Sequence, residues 1–368
     1  MIELHEFLDV FKDVSGGNPK VPKAAYLESG SIPVIDQGKQ HIGGYTDDSE
    51  NQFTKAPLPV IVFGDHTKVV KYVDSPFAMG ADGVKVLKPK YDHHEKYLYH
   101  YLRQVHLTDG GYDRHYKYLK RINIPLPPLP EQKRIAAILD QADALRDKRR
   151  TAIAKLDEML QSVFLDMFGD PVMNPKGWET LPLSKIGTIV TGNTPSRKSP
   201  EYYGNTIEWI KSDNLNTDGY LLTTATEWLS DEGMKVGRLA PAGSVLVTCI
   251  AGSPSCIGNL GYADRQVAFN QQINALIPFD MSDSLFCYAL LKFSKRLVQQ
   301  ASTNSMKGMV SKTSFSAIHV IWPPINYREQ FQQAFKEIES LRRQMTLQDD
   351  GANSLFFSLQ QRAFRGEL

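Results

Sequence analysis

The chain has 368 residues, 42% hydrophobic and 23% charged, the balance of a soluble folded protein with room for two or three domains. No run approaches the roughly 18 apolar residues of a membrane span. The opening Met1-Ile2-Glu3-Leu4-His5-Glu6 lacks the basic and apolar regions of a secretory leader, so a cytoplasmic protein with no membrane partner is expected. A net charge of only +1 excludes a uniformly basic nucleic-acid binder, and any DNA affinity must be local or shared with a partner.

Residues 1–127 have a β-rich texture. The short apolar runs Val60–Phe63, Val69–Val73 and Val84–Leu87 are strand-length and bounded by turn residues. Tyr97–Val105 is predicted helical. Polar loops supply Gln37-Gly38-Lys39-Gln40, His66-Thr67-Lys68 and Tyr112-Asp113-Arg114-His115-Tyr116-Lys117. From these Lys39, Lys68, Arg114, His115 and Lys117 are candidates for DNA contact, because Lys and Arg suit phosphate or guanine. The same composition also describes ordinary solvated loops.

Residues 128–170 follow as a helical segment. From Glu131 to about Met167 there is no Gly or Pro, and apolar residues recur in steps of three and four: Ile135, Ile138, Ala142, Leu145, Ala152, Leu156, Met159 and Val163. Only Arg149 breaks this seam, and Gly169-Asp170-Pro171 stops the helix. Such a helix is roughly 55 Å long at 1.5 Å per residue. Its basic stretch, Arg146, Lys148-Arg149-Arg150 and Lys155, is either a DNA-facing or partner-facing patch or a solvated face paired with Asp143, Asp147 and Asp157.

Residues 171–323 repeat the β-rich texture, with strands expected at Ser244–Ile250 and Ile273–Ile277 and a helix at Ser284–Gln300. The loops again collect polar and basic groups. Arg197, Lys198, Lys211, Lys307 and Lys312 are the candidate phosphate or guanine contacts, and Asn214, Gln271 and Gln272 the candidates for base readout. Side-chain-to-backbone bonding is the competing role for the amides. Cys249, Cys256 and Cys287 form no CxxC pair, which predicts reduced thiols and no metal site. Residues 324–368 carry a second helix from about Tyr327 to Ala363. Its seam candidates are Phe331, Phe335, Ile338, Met345, Leu355, Phe356 and Leu359, and a kink or break is expected at Asp349-Asp350-Gly351.

The second half echoes the first. Ile122 and Pro127-Pro128 recur 196 positions on as Ile318 and Pro323-Pro324. Glu131-Gln132 recurs as Glu329-Gln330, which implies two extra residues there. Val14–Pro19, Ile32–Ile35 and Val60–Phe63 resemble Val190–Pro195, Ile207–Ile210 and Val245–Thr248. Two long copies, unlike the many short ones of a solenoid, predict two similar domains. The expected fold is α+β: two bodies with twisted mixed β-sheets, separated by two long antiparallel helices forming a coiled coil, with an internal pseudo-twofold repeat.

Catalytic signatures are missing. The Pro-Pro pairs follow Leu126 and Trp322, which lack the amide or carboxylate of an adenine methyltransferase loop. There is no Walker A sequence, Glu208 and Lys211 are wrongly spaced for a nuclease pair, and His93-His94 and His115 have no metal-ligand pattern.

The stretch Pro127-Pro128-Leu129-Pro130-Glu131-Gln132-Lys133-Arg134-Ile135-Ala136, running into a long helix that ends Leu165-Asp166-Met167-Phe168-Gly169, resembles the central conserved region of type I restriction-enzyme specificity subunits. Pro323-Pro324 with Ser358–Leu368 is similar to their second conserved region, and Gly177-Trp178-Glu179 through Pro195 to the opening of a target-recognition domain. The resemblance covers essentially the whole chain. It implies a non-catalytic subunit in which 1–127 and 171–323 are target-recognition domains for the two halves of a split asymmetric site, while 128–170 and 324–368 are spacer helices. It further implies double-stranded DNA, two methyltransferase subunits and two motor–nuclease subunits as partners, with S-adenosylmethionine, ATP and magnesium bound by those partners and no cofactor in this chain. The first body lacks the Gly-Trp lead-in, so an abbreviated first strand is expected there. Two other readings fit the same residues: a specificity module for a different methylation-based defence enzyme, and an interaction scaffold that reads no DNA.

Overall fold

A computed structural model describes residues 3–107, 113–215, 219–303 and 308–368. The chain divides into two units. The first joins Met1–Thr151 with Thr346–Leu368, and the second is Ala152–Met345. Each unit therefore takes half of each long helix, where the sequence suggested four successive segments.

In the first unit, β1 (Glu3–Glu6), α1 (Phe7–Val10) and β2 (Phe11–Asp13) lead to β3 (Lys20–Val21), β4 (Ile32–Ile35) and β5 (Gly44–Thr46). These are followed by β6 (Val60–Gly64), β7 (Val70–Val73), β8 (Ala78–Gly80) and β9 (Val84–Pro89). Then come α2 (Glu95–Gln104), α3 (Tyr116–Leu119), β10 (Asn123–Leu126) and the long helix α4 (Leu129–Phe168). The strands form sheets of order β2-β9-β6-β7 and β3-β8-β4-β5, and β1 pairs with β10. Alternation along β6 explains its wholly apolar sequence. Ile61 and Phe63 pack toward the helices, while Val60 and Val62 pack toward the β4 sheet, so both faces of the strand are covered.

The second unit repeats this plan. β11 (Thr180–Pro182), α5 (Leu183–Ile186), β12 (Gly187–Thr191), β13 (Tyr203–Ile210) and β14 (Trp228–Leu229) precede α6 (Asp231–Val236), β15 (Leu239–Ala240) and β16 (Val245–Thr248). β17 (Ile250–Ala251), β18 (Leu260–Tyr262), β19 (Val267–Phe269) and β20 (Ile273–Pro278) follow. The unit continues with α7 (Ser284–Phe293), α8 (Lys295–Gln300), β21 (Gly308–Met309), α9 (Lys312–Ser316), β22 (His319–Ile321) and the second long helix α10 (Ile325–Arg365). Sheet order β12-β20-β16-β18 matches β2-β9-β6-β7, and the β11–β22 pair matches β1–β10. In the other sheet β13 runs parallel to β19 as β4 does to β8. The outer strand differs: β3 is parallel to β8, whereas β15 comes later in the chain and is antiparallel to β19. The abbreviation expected in the first body spares β1, which has four residues against three in β11, and falls on β2, three against five in β12.

Two expectations about the helices are corrected. α10 starts 196 residues after α4 starts, so the two-residue insertion inferred from Glu131-Gln132 and Glu329-Gln330 is not present. The structural counterpart of Gln132 is Arg328. Each donates to a proline carbonyl five residues back, Gln132 Nε2 to Pro127 O at 2.8 Å and Arg328 Nη1 to Pro323 O at 3.0 Å. Each also grips the start of a body helix. Gln132 Oε1 accepts from the His94 amide at 2.9 Å, and Arg328 pairs with Asp283, the residue before α7. The expected break at Asp349–Gly351 is also absent, because α10 is helical throughout. Arg149 Nη1 donates to the Gln348 carbonyl at 3.3 Å, and Arg146 Nε to Asn353 Oδ1 at 2.6 Å, which supports this stretch in the first unit.

The helix pairs run antiparallel in each unit. In the first, Arg146 faces Asn353 while Arg134 reaches the Leu368 carbonyl. In the second, Arg342 pairs with Asp157 while Phe331 packs on Phe164 and Phe168. Ile135, Leu156, Phe331, Phe335 and Ile338 are buried, and Ile138 and Leu359 half-buried. Leu145 and Met159 are instead 50% and 53% exposed. Their neighbours Arg146 and Leu160 take the inward positions, as Leu139 does beside Ile138. Arg146 manages this by stacking its guanidinium 4.3 Å from the centre of the Phe356 ring, with Asp143 and Asn353 taking its donors.

Candidate nucleic-acid interface

Strand register brings the polar loops of each unit to one end of its sheets. In the second unit Thr191 pairs with Asn274, and Thr248 with Ile273, so the segments after β12 and β16 and before β20 share an edge. The segment after β13 joins them, because Asn270 N donates to Ile210 O at 3.0 Å and Asn193 N to Phe269 O at 3.1 Å. In the first unit the segments after β4, β6 and β8 meet likewise. Thr67 Oγ1 donates to Gln37 O at 2.6 Å and the His66 amide to Gln37 Oε1 at 3.2 Å.

Two backbone bonds recur at corresponding places. Asp65 N donates to Gly83 O at 2.6 Å, and Cys249 N to Gln272 O at 2.7 Å. His115 N then donates to Asp65 O at 2.7 Å, and Val310 N to Cys249 O at 2.8 Å. One loop scaffold is thus built twice and carries different side chains.

Of the candidates on the first unit, Lys39 and Arg114 are exposed. Lys117 is exposed but paired with Asp113 at 2.6 Å, and Lys68 Nζ donates to the Leu107 carbonyl at 3.3 Å. His115 is corrected: its ring is buried, only 2% exposed, and its amide ties the loop to Asp65. On the second unit Arg197, Lys198, Gln271 and Lys312 are exposed, and Lys211 is half-buried. Lys307 lies outside the described residues.

Asn214 is corrected as a base reader. It is buried, accepts from the Lys211 amide at 3.0 Å, and donates to Thr223 Oγ1 at 3.0 Å and Thr224 O at 3.1 Å, so its amide is used up inside the protein. Gln272 Oε1 accepts from Asn270 at 3.0 Å and Ser212 at 3.3 Å, which also turns it toward the loop base. Gln271 accepts from Thr194 and is exposed.

The face also includes groups that nothing in their spacing along the chain would join. Glu227 accepts from Arg197 at 2.6 Å and from Lys211, while the Tyr203 and Trp209 rings lie beneath the Arg197 guanidinium. In the first unit Asp36 stands where Lys211 stands in the second, one residue past the matching strand. Lys71, almost fully buried, donates to Asp36 O at 2.7 Å. Glu208 is not free for chemistry: Arg265 holds it at 3.0 Å and it caps the Ala225 amide at 2.8 Å. Among the described residues no cluster of His, Cys, Asp and Glu is placed to hold a metal ion, and no helix is long and apolar enough to cross a membrane.

The family model described as the type I restriction modification DNA specificity domain matches this chain twice, over residues 2–156 and 175–347. The chain is 24% identical over 339 residues to the Escherichia coli type I restriction enzyme EcoR124I/EcoR124II specificity subunit, covering 87% of this chain and 82% of that one. It is 33% identical over 154 residues to the HindI specificity subunit of Haemophilus influenzae, covering 40% and 32% of the two chains. Its fold is similar to the type I restriction-modification S subunit of M. genitalium, with a TM-score of 0.61 at 14% identity over 99% of this chain and 96% of that one. A type I restriction-modification chain solved in a study of complex assembly aligns with a TM-score of 0.54 at 16% identity, over 100% and 95% of the two chains. Both solved structures therefore share the doubled architecture. With two copies of the family domain over most of its length, the chain belongs to the specificity subunits of type I restriction–modification systems, which have no catalytic role of their own.

Proposed function

We propose that each unit reads one half of a split, asymmetric DNA site with the loop end described above. The observation that carries this reading is the loop scaffold itself: the same backbone bonds tie the same segments in both units, while the side chains they present are unlike. Two readers on one plan but with different surfaces suit a bipartite site whose halves differ.

Residues 1–127 and 171–323 act as the target-recognition domains. The helical segments 128–170 and 324–368 set the gap between half-sites and dock the methyltransferase subunits. α4 has 40 residues, roughly 60 Å of helix, which is more than one turn of DNA at about 34–36 Å. Lys39, Lys68, Arg114, Lys117, Arg197, Lys198, Lys211, Gln271, Lys307 and Lys312 face the duplex. Two methyltransferase subunits, and for restriction two motor–nuclease subunits, complete the cytoplasmic assembly and carry S-adenosylmethionine, ATP and magnesium.

The test is co-expression with the cognate methyltransferase in a host lacking adenine methylation, followed by sequencing of modified adenines. A split motif with a constant gap is expected. Four residues inserted beside Arg149 should lengthen the gap and leave both half-sites unchanged. A single continuous motif would remove the two-reader reading, and a stable complex with no salt-dependent DNA binding would replace it with a scaffold.

A further inference from the structure

Arg197 is half-exposed, yet three groups fix its orientation. Its Cζ lies 4.4 Å from the centre of the Tyr203 ring and 5.1 Å from that of Trp209, and its Nη1 is 2.6 Å from Glu227 Oε2. A surface arginine ordinarily samples many rotamers, and ordering it on binding costs entropy. Here that ordering is done before any ligand arrives. The guanidinium carries five N–H donors in one plane, so donors remain for a ligand beside the Nη1 that meets Glu227.

Glu227 decides between the two DNA partners these donors could meet. Its carboxylate is shared by Arg197 and Lys211, and Lys211 itself lies 5.1 Å from the Trp209 ring. The acid cancels one of the two positive charges, so a phosphate is drawn to this point less strongly than to two unpaired cations. A base edge carries no net charge and tolerates the acid. Guanine offers O6 and N7 to one guanidinium edge, and the paired cytosine offers an N4 donor that a carboxylate can accept. Lys198, exposed one residue away, is left for the backbone.

Building on the reading of the second unit as a half-site reader, we propose that Arg197 recognises a guanine of that half-site in the major groove, with Glu227, Tyr203 and Trp209 as its positioning residues. The first unit has no such group at the matching place. Asp36 stands where Lys211 stands, and Gly44 lies opposite Val34 as the segment of Glu227 lies opposite Trp209.

The experiment is selection of a randomised duplex library by the full chain assembled with its methyltransferase subunits, comparing the natural protein with Arg197→Lys, Glu227→Gln and Lys198→Ala. Arg197→Lys keeps the charge and loses the two-donor edge. Preference for guanine at one position of one half-site should fall about 5- to 150-fold, with the other half-site unchanged. Glu227→Gln keeps the packing atoms and should weaken preference at that same position, so it answers the question if Arg197→Lys fails to fold. Lys198→Ala should weaken all sequences equally.

An unchanged motif for both Arg197→Lys and Glu227→Gln, or a uniform loss across all sequences, would overturn the proposal and make Arg197 a phosphate contact. Selection of no bipartite sequence by the natural protein would instead overturn the two-reader function itself.

Discussion

The two units hold their bodies against the long helices on the same backbone plan but with different chemistry. In the first unit the junction adds polar contacts to the apolar packing of Tyr97, Ile135, Leu139 and Phe364: buried His100 meets Asp140 at 2.8 Å, buried Gln360 donates to the His100 carbonyl at 2.9 Å, and Gln132 links Pro127 to His94. In the second it is aromatic: Phe164, Phe168, Phe286 and Phe331 contact one another with ring centres 5.0 to 6.3 Å apart. It also holds the buried ion pair Arg328–Asp283. Duplication preserved the frame and left the contacts free to diverge. The divergence has a physical use. Each half of α4 meets a partner surface that the other body cannot match, because hydrogen-bonding groups set against phenyl rings would be left unsatisfied.

The largest expected difference comes from the matched pair Arg328 and Gln132. Arg328→Ala leaves Asp283 buried without its cation and should cost about 3–5 kcal/mol, whereas Gln132→Ala should cost about 1–3 kcal/mol. All four tryptophans, Trp178, Trp209, Trp228 and Trp322, lie in the second unit, so their fluorescence in urea follows that unit alone and far-UV circular dichroism follows both. Equal losses at the two positions would show that the junctions are energetically alike after all.

Acid should separate the units further, and with opposite signs. Burial pushes His41, His93, His94 and His100, all in the first unit, below the usual histidine value; at His100 the hydrogen bond donated to Asp140 opposes this without reversing it. A depressed folded pKa means the unfolded chain takes up the proton first. The stability from these groups is present above about pH 6.5 and is lost as pH falls from there toward the folded values. In the second unit burial raises the carboxyls of Asp283 and Glu339, so the folded state takes up protons first. Their contribution grows as pH falls through the raised values toward the ordinary carboxylate range. Urea midpoints between pH 7 and pH 5 should therefore fall for the first unit before the second, and His100→Asn should flatten that fall. A steeper loss in the tryptophan signal would contradict it.

Smaller effects test the helices. Gly351 sits in α10 with nothing within 4 Å of where a β-carbon would stand, so Gly351→Ala should stabilise the first unit by about 0.5–1 kcal/mol. Leu145→Gln and Met159→Gln, at exposed positions, should change stability by no more than about 0.5 kcal/mol. A larger loss in thermal melts would put those residues back in the seam.

Much of this architecture was legible in the chain. Val60–Phe63 and Val245–Thr248 announce two covered central strands because they are apolar on both faces, and the uninterrupted run after Pro130 announces α4. The phase of the helical seam was harder to read. Ile138-Leu139 and Met159-Leu160 are apolar doublets in which either residue could face inward, and at Leu145-Arg146 hydrophobicity favours the wrong one. Arg146 enters the seam only because Phe356 and Asn353, more than 200 residues away, receive it. The candidate interface was legible as a set of loops, since polar residues cluster between strands. It was not legible residue by residue. Asn214 and His115 turn inward because of a short backbone reach and a strand-end contact, neither of which leaves a mark on composition. Nor does anything in the sequence tie Arg197 to Glu227, thirty positions on, before β13 and β14 are paired.

The make-up of the first unit also bears on how the protein is made. Its helix junction is finished by Phe356, Ala363 and Phe364, which are synthesised only after the whole of the second unit. At roughly 5–20 residues per second the ribosome needs about ten to forty seconds to travel from Thr151 to Thr346. Through that interval the nascent first unit carries Tyr97, Ile135 and Leu139 without their final cover, while the second unit can close as soon as its own last turn emerges. A message cut short near residue 345 would thus release a chain with one finished unit and one open apolar face, a natural substrate for chaperones and proteases.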